Sequence, residues 1–221
     1  MKKILITGHK GVVGQVLLAH LKSEYEITGF DIPEKDVTDM DMLKIQVKGF
    51  DAIIHLAMDP VVGFMNENYN PGDLTMVYNI YKVATDNKIP RVIMFSSIHA
   101  DEYKLDSSVL KTTHTIPSPD SPYGAYKVYM EALGRFYAKK GLEVIIVRLG
   151  GVTKDDSMEE EEGFEKVYLS HKDLVSMVRQ MIEVAEIKGN YELFYGVSNN
   201  QRRVHDNSNN IGWIPTTSTP V

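Results

Sequence analysis

Met1-Lys-Lys-Ile-Leu-Ile-Thr-Gly-His-Lys-Gly-Val-Val-Gly14 is the stretch whose reading decides the fold. Lys3 to Thr7 is a short apolar run of the kind that forms a buried strand. Gly8, Gly11 and Gly14 follow at three-residue spacing, and the amphipathic run Val12 to Leu21 has helical periodicity. A strand, a tight glycine turn and a helix start form the setting of a dinucleotide-binding turn. Gly8 permits the sharp turn, Gly11 lets backbone approach a pyrophosphate, and Gly14 lets the helix pack closely on the strand. Free N–H groups at the helix start, with the helix dipole, suit a phosphate anion. The predicted cofactor contacts of this stretch are Gly8, His9, Lys10, Gly11, Val12, Val13 and Gly14.

Outward from this turn the pattern repeats. Strands are predicted at Glu26 to Asp31, Ala52 to Leu56, Arg91 to Phe95, Glu143 to Leu149 and Tyr191 to Tyr195. Helices are predicted at Met40 to Val47, Asp73 to Asn87, Tyr123 to about Lys140 and His171 to about Glu186. Thr38 or Asp39 is placed to cap the second helix and Ser170 the last, with Asp173 near its N3 position. Such alternation implies an α/β fold, a doubly wound parallel sheet with helices on both faces, in the expected strand order 3-2-1-4-5-6. Residues 1–221 are read as one domain, with the small substrate-binding part in residues 151–221. Asp59 to Gly72 is longer than an ordinary connection, which favours a functional loop. The tail from Gly196 is polar, with Trp213 as its one large anchor.

Ligands of such sheets bind at the carboxyl ends of the strands. Asp31 ends the second strand, 17 residues after Gly14, where a carboxylate accepts from the adenosine ribose hydroxyls and repels a 2′-phosphate. Lys10, inside the glycine turn, is the residue that could instead attract that phosphate. Asp31 decides the expectation for NAD. Asp36 either accepts from the adenine amine or belongs to the polar turn before the helix, and His55-Leu56-Ala57 ends the third strand beside the cofactor. His55 is read as structural.

With 221 residues and 43% hydrophobic content the chain can bury a substantial core. A net charge of −6 and the absence of any basic run argue against a nucleic-acid partner. There is no cysteine, so disulfides and thiol chemistry are excluded, and no metal site is expected. No apolar run suits a signal peptide or a membrane span, and a cytoplasmic location is expected.

Tyr123 and Lys127 are the sharpest chemical pair. Four residues apart on a helix, they lie one above the other on one face. A lysine ammonium favours the phenolate electrostatically, and this makes tyrosine useful for proton transfer near neutral pH. The strand end Ser96-Ser97 supplies a hydroxyl to orient a substrate oxygen. Together these groups can move a proton while a nicotinamide takes or gives a hydride.

Thr7-Gly-x-x-Gly-x-x-Gly14, Asp31, Asp36-Val37, His55-Leu56-Ala57, Ser96-Ser97 and Tyr123-Gly-Ala-Tyr-Lys127 resemble the extended short-chain dehydrogenase/reductase family, the NAD-dependent epimerase/dehydratase group. The resemblance spans nearly the whole chain and implies a Rossmann fold with a reduced C-terminal substrate region. It implies Tyr123 as acid/base, Lys127 as its activator and Ser97 or Ser96 as the orienting hydroxyl. It also implies NAD contacts at Gly8, Gly11, Gly14, Asp31, Asp36 and Val37, extended here to Leu56, Ala57, Met58, Tyr123, Lys127 and Leu149. Substrate contacts are expected at Ser97, Ile98, His99, Tyr123 and Gly151.

Within that family, Ser96-Ser97-Ile-His99, Arg148-Leu-Gly150, Leu169-Ser-His-Lys-Asp-Leu174, Tyr195-Gly-Val-Ser-Asn-Asn200, Asp206-Asn207 and Gly212-Trp213 look like uronate dehydrogenases, which oxidise the anomeric carbon of a hexuronic acid. Four positions depart. Ile98 replaces an Asn, Pro60 and Gly151 each replace a Ser, and the carboxylate-binding Arg has no counterpart. The acidic run Glu159 to Glu162 lies nearby instead, and Lys166 is the candidate substitute cation. The resulting expectation is an NAD-dependent oxidoreductase acting on a hydroxyl or carbonyl of a sugar or sugar acid, as a homodimer. The alternatives are a nucleotide-sugar epimerase or dehydratase, faintly suggested by Asp101-Glu102, and a non-catalytic NAD-binding sensor.

Overall fold

The computed structural model describes residues 1–59, 67–68, 70–101 and 110–219. Six strands form one wholly parallel sheet: β1 (Lys3–Thr7), β2 (Glu26–Phe30), β3 (Ala52–His55), β4 (Arg91–Ser97), β5 (Glu143–Leu149) and β6 (Tyr191–Gly196). The helices are α1 (Val12–Leu21), α2 (Met40–Gln46), α3 (Pro71–Asp86), α4 (Pro122–Ala138), a single turn α5 (Phe164–Val167) and α6 (His171–Glu183). Pro60 and Glu102, and part of each loop that carries them, lie outside the described residues.

Side chains alternate across each strand, so one set of residues faces each helical layer. Ile4, Ile6, Ile54, Ile93, Phe95, Ile145 and Val147 pack under α1 and α6, against Leu17, Leu21, Leu174, Met177, Val178 and Met181. Leu5, Ile53, Val92, Met94, Val144 and Ile146 pack under α2, α3 and α4, against Leu43, Ile80, Tyr81, Met130 and Tyr137. β4 is buried along its whole length, whereas β2, at the sheet edge, has intermediate exposure at three of its five residues.

The strand order is β2-β1-β3-β4-β5-β6, which corrects the expected 3-2-1-4-5-6. Only one strand is formed between β1 and the crossing of the sheet. The segment after β2 holds a single crossover helix, α2, and the chain then returns to the far side of β1. Thr7 therefore neighbours Phe30 on one side and His55 on the other. The reversal of strand order falls at β1, and a crevice opens beyond its carboxyl end, as expected of a topological switch point.

Local signals set the helix ends. Asp39 caps α2 by accepting from the Met42 N–H at 2.9 Å, so it takes the role and Thr38 does not. Pro71 opens α3 behind an Asn70 cap, two residues earlier than predicted. Ser170 caps α6 through the Asp173 N–H. The Asp173 carboxylate, fully buried, accepts from the Ser198 hydroxyl at 2.7 Å and from the Thr216 and Thr217 N–H groups at 2.8 and 3.0 Å. Those bonds pin the polar tail to the body, and Trp213 packs beside Phe194 with its indole N–H on Ser176.

Candidate active site

Three adjoining cavities run along the carboxyl edge of the sheet. The first, about 520 Å³, is lined by Gly8, Gly11, Asp31, Asp36, Val37 and Leu56 to Met58, among others. Its shape depends on glycine. Gly8 has φ +72°, and a Cβ there would lie 2.6 Å from the Ala57 nitrogen. A Cβ on Gly14 would lie 2.5 Å from the His9 Cα. Only glycine lets β1, its turn and β3 come this close, and the space left suits an extended dinucleotide.

Asp31 is held in place at the adenosine end. Its two carboxylate oxygens accept from the Ile32 N–H at 3.0 Å and the Lys10 N–H at 2.9 Å. The Lys10 ammonium turns outward to the Ile32 carbonyl at 2.9 Å and Glu34 at 2.8 Å. The Lys10 ammonium is thus engaged with a carboxylate, while Lys35, with its ammonium 4.1 Å from the centre of the Phe30 ring, is a basic residue that borders this cavity. The His9 ring packs over Gly29, where a Cβ would meet it at 2.5 Å. Neither His9 nor Lys10 is among the residues that line the first two cavities. One Asp36 oxygen accepts from both the N–H and the hydroxyl of Thr38 at 2.8 Å, so this residue both orders its own turn and borders the groove.

The second cavity, about 260 Å³, shares Gly8, Gly11, Leu56 and Met58 with the first and adds Val12 to Gly14, Phe95 to Ser97, Tyr123, Lys127, Leu149 and Gly150. Tyr123 and Lys127 occupy the first turns of α4. Ser121 caps that helix at the Gly124 N–H, 3.1 Å. Gly124 lets the helix settle on the turn after β4, because a Cβ there would sit 2.2 Å from the His99 carbonyl oxygen. Lys127 is buried. Its ammonium donates to the Phe95 carbonyl at 2.9 Å and lies 5.3 Å from the centre of the Tyr123 ring. A fixed positive charge therefore stands against the phenol, in a cavity continuous with the nucleotide groove.

The two serines point to different partners. The Ser96 hydroxyl donates to Glu131 at 2.6 Å, inside a buried network. The Ser97 hydroxyl oxygen accepts a long bond from the His99 N–H, 3.3 Å, and borders the second and third cavities. The sequence reading missed the network that holds Ser96. Arg148 donates to Glu131 at 2.9 and 2.8 Å, to Asp101 at 3.3 Å and to the Tyr195 hydroxyl at 2.9 Å. Burial alone would lower the Arg148 pKa, but Glu131 more than offsets this and holds it above its usual value. Burial, with Asp101, pushes the Tyr195 phenol up, so Tyr195 stays a neutral donor. A run of separate polar residues carries no signal that it will converge at the sheet. Its only hint was charge inside apolar strands and on the buried face of α4.

The third cavity, about 240 Å³, shares Ser97, Tyr123, Leu149 and Gly150 with the second. Ile98, His99 and Gly151 line it as expected, together with Glu159, Glu161, Phe164 and Val167. His99 is bonded through Nδ1 to Asp120 at 2.7 Å, and its ring stands edge-on to Tyr123 at 5.9 Å. Lys166, the candidate substitute cation, is not among the lining residues. His55 lies under the site, with Nδ1 2.7 Å from the Thr7 hydroxyl. Burial, reinforced by the Lys127 charge, lowers its pKa to about 3, and the ring is neutral. Among the described residues no cluster of side chains is arranged to hold a metal ion, and no helix is long and apolar enough to cross a membrane.

A parallel sheet with a glycine turn at its switch point, an acidic residue at the end of β2 and a Tyr/Lys pair in the adjoining cavity define an NAD-dependent dehydrogenase of the extended short-chain type. Residues 4–153 match the NAD dependent epimerase/dehydratase family, and the chain belongs to it. It is 30% identical over 213 residues to L-arabinose 1-dehydrogenase (NAD(P)(+)) of Haloferax volcanii, covering 84% of each chain. It is 28% identical over 232 residues to uronate dehydrogenase of Agrobacterium fabrum, covering 97% of this chain and 84% of the relative. The crystal structure of uronate dehydrogenase from Agrobacterium tumefaciens superposes with a TM-score of 0.85 at 26% identity, covering 99% of this chain and 85% of that one.

Proposed function

We propose that the protein oxidises a ring hydroxyl of a monosaccharide, at the anomeric carbon, and passes the hydride to NAD. The observation that carries this reading is the pairing of Tyr123 with the buried Lys127 ammonium in a cavity continuous with the glycine-lined groove. NAD supplies the hydride acceptor. The Tyr123 phenolate takes the hydroxyl proton, while the Ser97 hydroxyl orients the reacting oxygen. The Lys127 ammonium stands beside the Tyr123 ring and remains in place through its bond to the Phe95 carbonyl. The products are a lactone, NADH and the proton delivered through Tyr123. Ser96, engaged with Glu131, supports the strand and does not touch the substrate.

The names of the relatives support a sugar or sugar-acid substrate, and that of the L-arabinose 1-dehydrogenase supports oxidation at carbon 1. Residues from 151 onward supply one wall of the third cavity, which supports reading 151–221 as the substrate part. That cavity is smaller than the ~300–1,000 Å³ of sites for drug-sized ligands, which favours a monosaccharide over a nucleotide-sugar. A homodimer in the cytoplasm fits the same reading; Tyr78 on α3 and Phe136 on α4 remain exposed on adjoining helices.

The test is steady NADH release when the purified protein is mixed with NAD and a panel of free aldoses and hexuronates. Tyr123→Phe should remove turnover and leave NAD binding nearly unchanged. Full activity in that variant would sink the assignment, and NAD binding without turnover of any sugar would favour the sensor alternative.

A further inference from the structure

We infer that the third cavity selects an uncharged aldose and rejects hexuronates; this rests on the proposed dehydrogenase reading and names the substrate class of the same site. Two acidic residues, Glu159 and Glu161, line the cavity together with Tyr123. Among the described residues no lysine or arginine lines it, and Lys166 lies elsewhere. A substrate carboxylate would enter beside two acidic residues with no lysine or arginine among the described lining residues to pair with, an arrangement that suppresses a wrong partner. Sugar hydroxyls are donors, and two carboxylates are acceptors for them.

The remaining wall is apolar. Ile98, Phe164 and Val167 pack together beneath the cavity. Gly151 is what admits the aromatic ring, because a Cβ there would lie 2.4 Å from Phe164 Cε2. A flat ring with acceptors at one side suits the C–H face and the hydroxyl edge of a neutral sugar. The cavity opens directly onto Ser97 and Tyr123, so whatever it holds presents its reacting carbon to the Tyr/Lys pair.

The experiment compares matched substrates that differ only at carbon 6, with the full chain and NAD: galactose against galacturonate and glucose against glucuronate. The aldose of each pair should have a kcat/KM at least tenfold higher. In a Glu159→Gln/Glu161→Gln variant the ratio of aldose to uronate should fall at least tenfold, since both residues sit on an exposed loop and their replacement leaves the core intact. Equal or faster turnover of the uronates, or an unchanged ratio in the double variant, would overturn the inference while leaving the dehydrogenase reading in place. Absence of turnover with both members of both pairs would overturn the dehydrogenase reading and this inference with it.

Discussion

Glu131 and Arg148 form a two-point ion pair sealed from solvent, with Nε and Nη2 of the guanidinium donating at 2.9 and 2.8 Å. The pair joins α4 to β5, and Ser96 of β4 donates to the same carboxylate. The helix bearing Tyr123 is thereby tied to both strands whose ends frame the cavity. Removing one partner of a buried pair leaves an uncompensated charge, a loss of about 3–5 kcal/mol. Glu131→Ala should therefore lower unfolding stability by about that amount in urea titration. A change below about 1 kcal/mol would mean that Asp101 and Tyr195 satisfy Arg148 unaided.

The same network separates the two serines. Ser97→Ala should lower kcat/KM by about 10²-fold, the low end of what a positioned proton-transfer group contributes, with little change in stability. Ser96→Ala should do the reverse, losing about 1–3 kcal/mol of stability by unpairing a buried carboxylate oxygen. Parallel kinetics and denaturation curves on the two variants decide the matter; the opposite pattern would exchange their roles.

The proposed preference for NAD rests on Asp31, whose carboxylate is fixed by two backbone N–H groups beside the first cavity. Asp31→Ala should reduce the ratio of NAD to NADP kcat/KM at least tenfold. Adding Glu34→Gln should reduce it further, because Lys10 loses its carboxylate partner. An unchanged ratio in the double variant would place the discrimination elsewhere.

Gly151 and Phe164 depend on each other. Gly151→Ser puts a Cβ inside the ring's contact distance, so Phe164 must move out of the cavity wall. Overpacking of this kind costs typically about 1–3 kcal/mol. The variant should be less stable and have a raised KM for aldoses. Wild-type stability and kinetics would show that the ring shifts at no cost and takes no part in binding.

Acid stability should be set by two buried histidines. Burial is the leading cause that lowers both His55 and His205 to about 3; Lys127 adds to it at His55 and Lys111 at His205. The unfolded chain takes up these protons near pH 6.5 and the folded chain does not until near pH 3. Their contribution is therefore fully present above about pH 6.5 and is lost as pH falls toward 3, by at most about 1.4 kcal/mol per pH unit for each. Both ring nitrogens of His205 lack a hydrogen-bond partner among the described residues. His205→Leu should reduce the slope of stability against pH between 6 and 4 by close to one proton. An unaltered slope would show that the ring is already protonated in the folded state.

Much of this was legible along the chain because the signals are local. The Gly8–Gly14 turn, the apolar strands, the Ser170 cap and the Tyr123/Lys127 spacing each act within a few residues, and the structure forms those elements within about three residues of their predicted ends. Strand order was not local: whether the chain crosses β1 after two strands or three depends on which edge the next strand finds. Nor was the separation of Ser96 from Ser97, since adjacent strand residues face opposite sides and the sheet must be placed before their partners are known.

The opening glycine turn, with Asp31 and the Tyr/Lys pair, determined by sequence alone the fold class and the cofactor, because backbone sterics at Gly8 and one-turn helix spacing admit few other outcomes. Tertiary structure alone decided which carboxylates meet. It brought Glu131 to Arg148 across 17 residues of chain and Glu159 and Glu161 to the cavity beside Tyr123, because charge interactions depend on distance in space.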